Sequence, residues 1–158
     1  MEYDITAPFI RAVTVANPVA QAQFTLTAPG SAAWRVLALT FRLVTDANAA
    51  SRAVRLQADD GGNPWFIVGP ETDQAATIDR VYCVVNGSHG FAGLSGLQPL
   101  PWPDTGLWLR PGWRLRTTTT NLQAGDQYSE ISAVVQEYPV AKGTGWLSNV
   151  PYVSKIEG

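Results

Sequence analysis

An all-β fold, an antiparallel β-sandwich, is predicted by three features of the chain. Short runs rich in Val, Thr, Leu and aromatic residues alternate apolar with polar, the period of a half-buried strand. Clusters of Gly, Pro, Asn and Asp separate these runs at short spacing. No stretch carries a convincing helical period of 3.6 residues.

The elements follow in chain order. Phe9 to Val15 reads as a short strand ended by Asn17-Pro18. Gln21 to Ala28 alternates, with Ala22, Phe24 and Leu26 against Gln23, Thr25 and Thr27, and Pro29-Gly30-Ser31 turns the chain. Trp34 to Thr45 is the longest apolar run, and its Thr and Val content favours a strand over a helix. Period two puts Leu37, Leu39, Phe41 and Leu43 on one face, and Val36, Thr40, Arg42 and Val44 on the other. Arg52 to Asp59 and Trp65 to Val68 flank the turn cluster Asp59-Asp-Gly-Gly-Asn-Pro64, which predicts a hairpin. Thr77 to Val85 is a further strand. Asn86 to Gly106 holds too many Gly and Pro for a long element; it is a surface loop or two short edge strands, one near Gln98 to Trp102. Leu109 to Tyr138 is the most sharply defined hairpin. Pro111-Gly112 opens it, and Trp113, Leu115, Thr117 and Thr119 share a face. Gln123 to Asp126 reverses the chain, and Ile131, Ala133 and Val135 share the face of the second strand. About eight or nine strands in two antiparallel sheets would make a jelly roll. The chain divides into an N-terminal arm with the first strands (1–30), a sandwich core (31–138) and a C-terminal extended arm (139–158), one domain in all.

Composition bounds the role. The 158 residues suit one domain, and a net charge of -2 leaves no electrostatic footprint for nucleic acid. No apolar run approaches the ~20 residues of a membrane span. The acidic start, Met-Glu-Tyr-Asp, lacks the pattern of a signal peptide, so a chain made and folded in a cytoplasm is expected. The lone Cys83 permits no internal disulfide. Charged residues are 15% of the chain, against about 25% in ordinary domains. Lysine is confined to Lys142 and Lys155, the other basic residues being Arg. Arg is favoured over Lys in interfaces, and a GC-rich genome would leave the same signature.

No residue pattern predicts catalysis, and no cofactor or metal is expected. Asp59, Asp60 and Asn63 offer oxygens for Ca²⁺, but the spacing is not that of an EF-hand and suits a plain hairpin turn. His89, the one histidine, lies in a Gly/Ser loop without a nucleophile motif. Cys83 sits within a strand and is expected buried and inert. Trp34 and Trp65 are expected in the core. Trp102, Trp108 and Trp113, with Tyr82 and Tyr128, either form a stacking platform for sugars or divide between core (Trp113) and rings that cover the sandwich or a partner subunit (Trp102, Trp108). Arg110, Arg114 and Arg116 form a basic cluster that meets a partner or pairs with Glu130 and Glu137 across the hairpin.

The runs Leu39-Thr-Phe-Arg-Leu-Val-Thr-Asp46, Ser51-Arg-Ala-Val-Arg-Leu56, Asp60-Gly-Gly62 and Leu122-Gln-Ala-Gly-Asp-Gln-Tyr-Ser-Glu-Ile131, leading to Val135-Gln-Glu137, resemble small jelly-roll structural proteins of tailed bacteriophages. The resemblance spans residues 34 to 138. It implies a non-enzymatic virion protein, foremost a capsid decoration (cement) protein. Such a protein binds the major capsid protein across subunit junctions and associates with itself as a dimer or trimer on the capsid surface. Trp102, Trp108, Arg110, Arg114, Arg116, Trp146 and Tyr152 are the candidate interface. The alternative is a carbohydrate-binding module or a host-glycan-binding virion or tail protein.

Overall fold

The computed structural model describes residues 7–86 and 96–140. It is all-β, and no helix occurs among the described residues. Among the described residues ten strands follow one another: β1 (Phe9–Val15), β2 (Thr25–Thr27), β3 (Ala32–Val44), β4 (Leu56–Asp59), β5 (Pro64–Val68), β6 (Asp79–Val85), β7 (Leu97–Pro99), β8 (Leu107–Leu109), β9 (Arg114–Thr117) and β10 (Gln127–Pro139). A six-stranded sheet runs β1-β10-β3-β6-β7, with β8 also paired to β3, and a four-stranded sheet runs β2-β9-β4-β5. All pairs are antiparallel except β6 with β7, which is parallel, so the larger sheet is mixed rather than purely antiparallel.

The β4–β5 hairpin forms where the Asp-Asp-Gly-Gly turn predicts it. The expected 109–138 hairpin does not form. Its first strand, β9, lies between β2 and β4, whereas β10 lies between β1 and β3 in the other sheet. Each strand buries the face read from its alternation, Leu115 and Thr117 in one, Ile131, Ala133 and Val135 in the other. Alternation identifies the buried face but not the sheet that carries it, and the Gly125-Asp126 turn carries the chain across the core instead of back along it. Residues 9–15 are a full edge strand of the larger sheet. β10 extends to Pro139, paired with Ala32, one residue into the expected C-terminal arm. The rest of that arm, from residue 141 and including Trp146 and Tyr152, lies outside the described residues, as does His89.

The two longest strands change face along their length. Val36 pairs with Val135 and Ala38 with Val134, so Leu37 is an extra residue on β3. The bulge inverts the expected face at its start: Trp34 and Val36 point inward with Leu39, Phe41 and Leu43, and Leu37 is only partly buried. A second bulge sits on β10 between Ser129 and Ser132, where Glu130 adopts a left-handed φ of 52° and donates its N–H to Asn17 Oδ1. The β10 bulge lets Tyr128 and Ile131 both face the core.

Aromatic rings tie the sheets together. Phe41 of β3 stacks on Tyr82 of β6 (centroids 5.1 Å, 13° between planes) and meets Phe24 at 5.1 Å and Tyr128 at 5.9 Å. At one end of the sandwich a buried guanidinium joins the loops. Arg52, fully buried, donates from Nε to Asp126 Oδ2 (2.8 Å) and from Nη2 to Asp126 Oδ1 (2.9 Å) and Asp46 Oδ1 (2.6 Å). Its Nη1 donates to the carbonyls of Asn48 and Ala50. Asp126 also accepts the N–H groups of Asp46 (2.9 Å) and Gln123 (2.8 Å), and burial, which alone would raise its carboxyl, is outweighed by these donors, so its pKa is lowered.

Two substitutions test this frame. Phe41→Ala removes the ring at the centre of the aromatic cluster and is expected to cost roughly 3–5 kcal/mol in urea unfolding; a near-neutral result would contradict the core. Arg52→Ala leaves the buried Asp126 carboxylate uncompensated and is expected to cost about 3–5 kcal/mol by the same measurement.

Candidate interaction surfaces

A groove of about 440 Å³ opens beside the β8–β9 turn, lined by Trp65, Phe66, Pro103, Trp108, Arg110 and Trp113 among others. Local sequence builds it. Arg110-Pro-Gly-Trp113 closes a turn through Trp113 N–H to the Arg110 carbonyl (2.9 Å), with Gly112 at φ 80°, the left-handed position that a Pro-Gly turn requires. Pro103 to Gly106 makes another turn, and a side chain on Gly106 would meet the Val36 carbonyl at 2.9 Å. Trp65 and Trp113 lie 5.4 Å apart at 49°, and the Arg110 guanidinium sits 5.0 Å above the Trp113 ring.

The structure redistributes the tryptophans. Trp102, expected at the interface, is core: it is 6% exposed, donates Nε1–H to the Val36 carbonyl and meets Phe66 edge-on. Its flanking prolines suggest a surface loop, but the Leu100 N–H bonds to the Cys83 carbonyl and both Leu100 and Trp102 join the core. Trp65, expected in the core, is 44% exposed, because on β5 it is Phe66 and Val68 that pack inward. Trp108 is half-buried against Tyr138 (4.9 Å) and stays a surface candidate. Trp113 packs partly against the core, as expected, while also lining the groove.

On the outer face of the smaller sheet, Asp59 is fully buried beneath two arginines. Register places Asp59 opposite Arg114, and Gln57 opposite Arg116. Arg114 Nε donates to Asp59 Oδ1 (2.8 Å) and Arg116 Nε to Oδ2 (2.7 Å), while the Gly61 N–H and Gln57 amide complete the shell. The expected partners of these arginines lie in the other sheet, where Glu130 pairs with Arg42 and Glu137 with Arg11. Asp60 accepts the Gly62 and Asn63 N–H groups, so this acidic pair is turn chemistry, and no metal-holding cluster occurs among the described residues.

The outer face of the larger sheet is different. Register aligns Ala12, Val134, Ala38 and Val85 in one row across four strands. The adjacent row is Thr14, Ser132, Thr40 and Cys83, continued by Pro99. Neither row holds a charge. Val134 is 38% and Val85 37% exposed, and Ile10 beside them is 63% exposed. Cys83 is buried as expected, and burial raises its thiol pKa. Sequence reading missed this patch because the apolar residues come from four strands and align only through register.

Burial by itself would raise the Asp59 carboxyl, but Arg114, the Gly61 N–H, Arg116 and Gln57 outweigh it and hold it at about 2. The folded value lies below the unfolded one of 3.8. The stabilisation is therefore complete above about pH 4 and lost as pH falls through 2, worth roughly 2 kcal/mol. Between pH 5 and pH 2, Asp59→Asn is expected to lose about that amount less in urea unfolding than the unmodified protein, in which Asp126 titrates as well; equal slopes would contradict the anchor.

In comparisons with protein-family models, curated proteins and solved structures, nothing matches the chain.

Proposed function

We propose that the chain is a non-enzymatic structural protein of a tailed-phage virion, a jelly-roll decoration protein that binds across junctions of the major capsid protein. The observation that carries the reading is the pair of uncharged rows across the middle of the larger sheet's outer face, between Arg35 on one side and the Arg42–Asp79–Glu130 cluster on the other. A row of Ala and Val beside a row of Thr and Ser, with Val134, Val85 and Ile10 exposed, is the kind of uncharged surface that suits cover by another subunit. Strand order supports the fold. With the short β7 and β8 set aside, the sheets read β1-β10-β3-β6 and β2-β9-β4-β5. Successive strands from β1 to β4 alternate between sheets, β4–β5 is the one hairpin, and β9 to β10 crosses back, the path of two nested Greek keys. The expected extended arms at both ends belong to this reading as reaches toward neighbouring subunits. The Trp65, Trp108 and Trp113 groove favours a second reading, a glycan-binding virion module, because open aromatic faces are what sugar rings stack on.

One experiment separates them. The purified protein is sized by light scattering, then mixed with capsid shells assembled without it, and separately titrated with sugars by Trp fluorescence. The expected result is a dimer or trimer that co-sediments with shells, and a Val134→Glu variant that melts normally but no longer co-sediments. A monomer that ignores shells overturns decoration, and a Trp65-dependent response to sugars would then favour the glycan module.

A further inference from the structure

We infer that β1 is a self-pairing edge, through which two copies of this chain join their larger sheets about a two-fold axis at Ala12. The inference deepens the self-association contained in the decoration reading and rests on it.

Sheet edges in soluble proteins are ordinarily blunted, since an unpaired row of N–H and C=O groups templates another strand. Among the described residues, four of the five edge elements are blunted. β2, β7 and β8 have three residues each, and β7 ends on Pro99. β5 opens on Pro64. β1 has seven residues, Phe-Ile-Arg-Ala-Val-Thr-Val, with no Pro, Gly or Lys. It pairs with β10 without a register break, so no bulge twists it away. Phe9 and Ile10 are 44% and 63% exposed. The sole charge, Arg11, is drawn back into its own sheet by Glu137 (2.7 Å) and lies 5.5 Å over the Trp34 ring.

The strand is also self-complementary. An antiparallel partner centred on Ala12 sets Phe9 opposite Val15, Ile10 opposite Thr14 and Arg11 opposite Val13 of the second copy, so every residue of β1 is paired. No like charges face each other, and β-branched and aromatic pairs are the favourable kind. Parity is preserved in this register, so the Ala12-Val134-Ala38-Val85 row continues into its equivalent across the axis. A slip of one residue would put each outer-face side chain opposite a core-face one. A two-fold contact uses the same patch on both copies, which a strand pairing with itself satisfies. The result is that the two uncharged rows run on across the axis at double length, presented to whatever the dimer covers.

Ala12→Cys tests the register in the full chain. Opposed residues across a strand pair have Cα atoms about 4.5–5.5 Å apart, within reach of a disulfide. Cys83 is buried and contributes little background. Mild oxidation is expected to give a covalent dimer on a non-reducing gel, and oxidised Val19→Cys, beyond the strand, to give none. Ala12→Lys, which puts two ammonium groups face to face on the axis, is expected to be monomeric by light scattering with an unchanged melting temperature. Val134→Glu, one strand inward, is expected to stay dimeric while losing shells. A dimer indifferent to Ala12→Lys, with no Ala12→Cys crosslink, overturns the β1 edge and leaves decoration standing. A monomeric unmodified protein overturns it too, and shell co-sedimentation then judges decoration by itself.

Discussion

The buried Arg52–Asp126 pair is the constraint on which the sandwich depends. Three loops converge on it: the β3–β4 loop through Asp46, Asn48 and Ala50, the β9–β10 loop through Gln123 and Asp126, and the β1–β2 loop through Gln21, whose N–H reaches the Asp126 carbonyl at 2.8 Å. Each loop connects strands in opposite sheets. A charge pair at this seam therefore fixes how the sheets stack, which apolar side chains alone leave loosely specified. Desolvation makes such a pair costly unless its remaining groups are satisfied. Here the guanidinium donates to two carboxylates and two carbonyls, and the Asp126 carboxylate accepts two backbone N–H groups as well. Gly125 belongs to the same arrangement, because a side chain there would sit 2.8 Å from Asp46 Cβ.

The same pair draws three short segments together. Thr45-Asp46 and Ser51-Arg52 lie within one loop, and Asp126, 74 residues beyond Arg52, comes with Ala124-Gly125 to meet them around one guanidinium. Thr45 adds a bond network of its own, its hydroxyl donating to the Ala75 carbonyl and accepting the Ile78 N–H. Gln74 continues it, its amide donating to the Leu43 and Ile78 carbonyls and accepting the Tyr82 hydroxyl. The polar seam thus runs from the loops into the aromatic cluster around Phe41, and packing and hydrogen bonding specify the same arrangement.

Strand existence was legible in the sequence because alternation is local: β1, β3, β4, β5, β6 and β10 lie where their runs place them. What was not legible depends on pairing. Nothing in the Thr117 to Gln127 stretch distinguishes a hairpin from a crossover, since both need a turn between two one-sided strands. The Leu37 bulge is likewise invisible, because an inserted residue leaves the run as apolar as before. The tryptophans depart from expectation for a related reason: prolines around Trp102 suggest exposure and the apolar run around Trp65 suggests burial, yet strand parity turns Trp65 outward and Trp102 joins the core. Asp59 read as turn chemistry alone until register set it under Arg114.

The shortage of lysine acquires a physical cause from these contacts. Arg52 uses three nitrogens for five acceptors in fixed directions, and Arg42 bridges Asp79 and Glu130 from one planar head. A lysine ammonium has three donors at a single point and could not reproduce either. Arg11, Arg114 and Arg116 are likewise committed to Glu137 and Asp59. Arginine in this chain therefore serves folding first, and its preference over lysine is weaker support for a partner than composition suggests. With these charges drawn into pairs at the loops, rims and smaller sheet, the two middle rows of the larger sheet's outer face have none, and Val134 and Val85 stand partly exposed in one of them.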